Sequence, residues 1–146
     1  MKKALFLFLV LQSTLSFTQK LKCDNFKKGV FRSVDGEETD KTYRIIRNDS
    51  IQIEKDGKSG MEIKQSIEWI SKCSFRLKFI SANKFYQEKY SSPNDTIPLV
   101  IEIKQGGVNF YLYEAKYEGN PKVMYTGRIL KNRINKLAAT TCVINC

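Results

Sequence analysis

The chain contains no histidine at all. That removes the Ser-His and Cys-His nucleophile pairs and every imidazole-bound zinc site. Nor is there a Cys-x-x-Cys spacing among its four cysteines, so a thiolate metal site has little to recommend it. Beyond the first residues, no apolar stretch reaches the 18 or so residues that a spanning helix needs, which predicts no transmembrane segment. Internal repeats and low-complexity tracts are also absent, and intrinsic disorder does not suit a chain that is 42% hydrophobic with nine Phe and seven Tyr.

What is present begins with an address. Lys2 and Lys3 precede an apolar run from Ala4 to Leu11, and Ser16 and Thr18 are small enough for cleavage before Gln19. Residues 1–18 therefore read as a secretory signal peptide, and the protein is expected to be exported, either periplasmic or secreted. Removing them takes two lysines and no acid, so the net charge of +10 falls to +8 over 128 residues. That length fits one domain.

Four cysteines in an exported chain are expected to be oxidised, and they allow three connectivities. Cys23 sits just before the first strand and Cys73 just after a strong one. A bridge between them, closing a 50-residue loop, would stabilise the fold by about 3 to 4 kcal/mol. Cys142 and Cys146 lie in a short tail and either pair with each other or stay free.

Period-two alternation organises the rest. Met61, Ile63, Ile67 and Trp69 alternate with Glu62, Lys64, Ser66 and Glu68, leaving only Gln65 out of pattern. Phe75, Leu77 and Phe79 alternate with Arg76 and Lys78 in the same way, as do Ile51 and Ile53 with Gln52 and Glu54. Turn signals such as Asp56-Gly57, Gly106-Gly107 and Gly119-Asn120-Pro121 separate the runs. The predicted strands cover residues 30–34, 42–47, 50–54, 61–70, 74–80, 97–105, 108–117 and 122–130. Asp24 is a candidate N-cap for one helical turn ending at Gly29, and residues 133–139 could form a short helix in a basic tail, 131–146. Eight hairpin-joined strands predict an all-β, single-domain, antiparallel up-and-down barrel over residues 19–130, because closure removes exposed strand edges. Its longest connection is 81–98, where function tends to concentrate.

Three segments carry a resemblance. Cys23-Asp24-Asn25-Phe26-Lys27-Lys28-Gly29-Val30-Phe31, Arg47-Asn48-Asp49-Ser50-Ile51-Gln52 and Ile67-Glu68-Trp69-Ile70-Ser71-Lys72-Cys73-Ser74-Phe75 resemble, in the same order, a family of short exported lipocalin-like proteins of Gram-negative bacteria whose function is not established. The likeness covers most of residues 23–130, and Cys23 and Cys73 occupy the family's two cysteine positions. The resemblance implies a lipocalin-like barrel and adds weight to the Cys23–Cys73 pairing. The tail after Leu130 departs from the family pattern.

Candidate chemistry is thin. Ser81 and Lys84 match Ser-x-x-Lys, but the partner motifs that a serine nucleophile of that kind requires are missing. Asp35, Glu37, Glu38 and Asp40 crowd one loop without a calcium-loop spacing, so a solvated loop is the plainer reading. No cofactor or metal is expected, and the protein reads as not an enzyme.

Two binding readings remain. Trp69, Phe75, Leu77, Phe79, Phe110 and Leu112 could line a barrel cavity for a small apolar or amphipathic ligand, or could fill the interior completely; both readings stand at this point. Alternatively, Lys122, Arg128, Lys131, Arg133 and Lys136, in fifteen residues without an acid, together with Tyr111, Tyr113 and Tyr117, could form an outer surface for an anionic envelope polymer or an inhibited partner. Nucleic acid is disfavoured by the export signal. Finally, Asp49-Ser50-Ile51 and Asp95-Thr96-Ile97 resemble the O-glycosylation site of some Gram-negative bacteria, with Ser50 and Thr96 as acceptors.

Overall fold

The structure is a computed structural model that describes residues 21–34 and 43–132. Residues 1–20, which include the expected signal peptide, residues 35–42 with Asp35, Glu37, Glu38 and Asp40, and residues 133–146 with Arg133, Lys136, Cys142 and Cys146 lie outside the described residues. Eight antiparallel strands close into a barrel in chain order: β1 (Gly29–Val34), β2 (Tyr43–Arg47), β3 (Ile51–Asp56), β4 (Glu62–Trp69), β5 (Ser74–Ala82), β6 (Leu99–Gly106), β7 (Phe110–Tyr117) and β8 (Tyr125–Lys131). β8 returns to β1 with Phe31 opposite Lys131 and Val34 opposite Arg128, so the sheet closes on itself. This is the all-β up-and-down barrel that the alternation predicts.

Boundaries shift where turns take residues that the pattern assigned to strands. β6 begins at Leu99 rather than at residue 97 because Pro93–Thr96 forms a 3-10 turn. It is closed by a capping box between Ser92 and Asp95, with Pro93 at its start. Upstream, the connection contains a helix that alternation alone does not reveal, α1 (Lys84–Lys89), N-capped by Asn83, whose side chain accepts from the Tyr86 amide at 3.2 Å. Ser81 therefore ends up within β5 and Lys84 at the first position of α1.

One end of the barrel is closed by a 3-10 turn, Cys23–Phe26, in which Cys23 and Phe26 are buried. Asp24 is not its N-cap, as expected from sequence, but a member of its first turn that pairs with Lys27 at 3.0 Å and Lys72 at 3.7 Å. The Cys23–Cys73 disulfide, with Cα atoms 5.3 Å apart, ties this plug to the β4–β5 hairpin. Gly29 leaves the plug with φ of 137°, and a Cβ there would lie 2.9 Å from the Lys131 side chain. Phe26, Phe31, Phe75, Leu77, Ile101, Ile103, Tyr111 and Ile129 form the core around it. No helix among the described residues is long and apolar enough to cross a membrane.

Candidate ligand-binding cavity

The upper barrel is hollow. A cavity of about 630 Å³ opens inside it, within the range of small-molecule sites, roughly 300–1,000 Å³. Its walls come from alternate residues of successive strands, since one face of each strand points inward. β5 contributes Phe75 and Leu77, β6 contributes Leu99 and Ile101, and Ala115 and Ile129 come from β7 and β8. Met124, Tyr125 and Thr126 stand at the rim.

The β2–β3 wall has a different character. Its register sets Arg47 opposite Gln52, Ile45 opposite Glu54 and Tyr43 opposite Asp56, in three steps from the plug towards the mouth. At the bottom step Arg47 is 4% exposed, and each of its three nitrogens has a partner. Its Nε donates to Gln52 Oε1 at 2.8 Å, one terminal nitrogen to the Phe26 carbonyl at 2.9 Å and the other to the Tyr111 hydroxyl at 3.1 Å. The guanidinium also lies 4.5 Å from the Phe75 ring centre and 5.0 Å from that of Phe31, which compensates part of the desolvation.

One step higher, the Glu54 carboxylate accepts from Gln52 Nε2 at 2.7 Å and from the Tyr43 hydroxyl. Burial, reinforced by the adjacent Glu54 charge, pushes the Tyr43 phenol well above its ordinary value. Burial likewise raises Tyr111, against the opposing pull of Arg47. At the top step Asp56 turns back into its own hairpin, accepting from the amides of Lys58 and Ser59.

A smaller recess of about 150 Å³ lies beside α1, lined by Gln65, Phe79, Tyr86, Asp95 and Tyr117, and it shares Leu77, Leu99 and Tyr125 with the main cavity. Tyr86 donates to Asp95 at 3.0 Å, and its phenol is pushed up to about 12 by burial and then by that bond.

Of the six apolar residues expected to line a site, Phe75 and Leu77 line the cavity and Phe79 lines the recess. Trp69 packs behind Phe75, with ring centres 4.8 Å apart and Lys27 over its own face. Phe110 and Leu112 are a correction: Tyr111 is 1% exposed and points inward with Tyr113 and Ala115, which turns their neighbours outward, Phe110 beneath Arg128. The same inversion holds in β3, where Gln52 and Glu54 face the interior rather than Ile51 and Ile53.

The basic surface is altered too. Tyr111 and Tyr113 face the lumen, Tyr117 meets Tyr125 at the mouth, and Lys131 is engaged with the Asn25 carbonyl and the Phe31 ring. Lys122 and Arg128 remain exposed. Ser50 and Thr96 are both exposed, in the β2–β3 turn and the second 3-10 turn respectively. Sequence reasoning missed Tyr43, Arg47, Gln52 and Glu54 as site residues and assigned Tyr111 and Tyr113 to the outer surface rather than to the cavity. A usable signal existed in Gln52 and Glu54, polar residues at period two on a strand whose other face is aliphatic. No protein-family model, curated protein or solved structure matches the chain.

Proposed function

We propose that the protein is an exported, non-catalytic binding protein that takes a small amphipathic ligand inside a lipocalin-like barrel. The observation that carries this reading is the cavity of about 630 Å³, apolar along β5 and β6 and hydrogen-bonding along β2 and β3. Such a mixture is typical of small-molecule sites, in which a few polar groups orient an otherwise apolar ligand. Export rests on residues 1–18, and the Cys23–Cys73 bridge is in keeping with an oxidising compartment. The surface-interaction alternative has less support, because two of the three tyrosines that it needs point into the lumen.

The test uses N-phenyl-1-naphthylamine, an uncharged dye that fluoresces in apolar sites. The folded protein is expected to enhance its emission saturably. Ala115→Phe, which fills the lumen from β7, is expected to weaken the dye at least tenfold, whereas Val108→Phe, at a position 83% exposed, leaves it unchanged. An absence of saturable binding, or equal binding by both variants, rejects the cavity as the site.

A further inference from the structure

We propose that the ligand's polar head is an organic cation, an ammonium or amidinium group, received by the Glu54 carboxylate halfway down the barrel. The inference rests on the reading that the cavity holds a ligand, and it adds the sign of that ligand's charge. Among the described residues, Arg47 and Glu54 are the two charged side chains in the cavity lining, and they are not equivalent. The guanidinium is part of the floor, with Gln52, the Phe26 carbonyl and Tyr111 bonded to it and aromatic rings against it. An incoming anion would meet a guanidinium whose three nitrogens each already have a partner and whose face is covered by the Phe75 and Phe31 rings.

Glu54 stands one register step nearer the mouth, so a ligand arriving from outside reaches it first. It is half-buried, and the groups that hold it, Tyr43 and Gln52, are neutral donors. No described Lys or Arg forms an ion pair with it. A carboxylate has about four acceptor sites, and two donors leave room for more. Its field reaches across the lumen: the Glu54 charge contributes to raising the phenols of Tyr43, Tyr86 and Tyr111 on three different elements. A partly desolvated carboxylate without a counter-ion among the described residues is costly, and a bound cation would offset that cost. Tyr43, from the neighbouring β2, and Tyr113, from β7, are cavity-lining rings of the kind that accept cations over their faces. The chain's net charge of +10 does not govern the sign inside, where the nearest charge dominates.

Three probes of one shape decide the matter: 4-phenylbutylamine, 4-phenylbutanol and 4-phenylbutyrate, compared by calorimetry on the disulfide-bonded protein. The amine is expected to bind at least tenfold tighter than the alcohol and the acid. Glu54→Gln, which keeps an acceptor for Tyr43 and Gln52, is expected to reduce the amine to the alcohol's affinity and leave the alcohol unchanged. Should that variant fail to fold, the ranking on the unmodified protein decides alone. An amine no tighter than the alcohol, or a preference that survives Glu54→Gln, overturns the cation. If the uncharged dye still binds in that case, the cavity reading stands without it; if neither dye nor probe binds, both readings fall together.

Discussion

At the closed end of the barrel, a 3-10 turn, a disulfide and a buried guanidinium are locked to one another, and Cys23, Phe26, Arg47 and Tyr111 are all nearly inaccessible. At the open end, α1 and the 3-10 turn Pro93–Thr96 contain no buried residue, and Tyr90, Ile97, Met124 and Tyr125 are exposed around the mouth. Local stability follows buried contacts, so the floor should open only with global unfolding while the mouth rearranges at small cost. The same chain therefore fixes the depth of the site and leaves its access adjustable.

The largest effect expected from this contrast comes from truncating the plug. Phe26→Ala should destabilise by about 3 to 5 kcal/mol in urea unfolding, whereas Tyr90→Ala at the mouth should stay within about 0.5 kcal/mol. Similar costs at both would mean that the two ends are equally packed.

Alkaline titration probes the buried phenols next. Tyr43 and Tyr111 have folded values raised above those of the unfolded chain, so their contribution is intact below about pH 10 and is lost as the pH rises further, because the unfolded chain ionises where the folded one does not. Stability should fall by about 1.4 kcal/mol per pH unit for each protected phenol. A flat profile from pH 10 to 11 would show that these hydroxyls are not held neutral.

The smallest effect is placed at the mouth. Tyr86→Phe removes the bond to Asp95 and should cost under about 1 kcal/mol globally, yet speed amide hydrogen exchange in residues 84–89. Unchanged exchange would show that this bond does not hold the helix in place.

Strand existence was legible because alternation survives wherever one face is wetter than the other, as in β4 and β5. The inward face was legible only where the interior is apolar. In β5, Phe75 and Leu77 point inward as their hydrophobicity implies. In β3 and β7 the lumen takes Gln52, Glu54, Tyr111 and Tyr113, so hydrophobicity selected the wrong face. Gln65 in β4, the one residue out of pattern, faces the recess and belongs to the same polar interior. Its neighbourhood holds a register shift against β5 between Lys64 and Gln65. The polar floor was only half legible for a physical reason: Arg47 and Gln52 face each other across one hairpin, but Tyr111 reaches Arg47 from β7 across the barrel, a meeting that the sequence does not show.

Barrel closure also has a kinetic side. Every strand pairs with its neighbour in the chain except at the seam, where β1 meets β8 and Phe31 finds Lys131 from the far end of the described sequence. Hairpins form within microseconds, but a seam of this span must first meet a large loop-closure entropy before any contact repays it. The seam should therefore be the last pairing made during folding, after the β2–β7 meander has assembled. Until then, β1 and β8 present unpaired edges, and crowded refolding mixtures would lose material to intermolecular strand exchange in that interval.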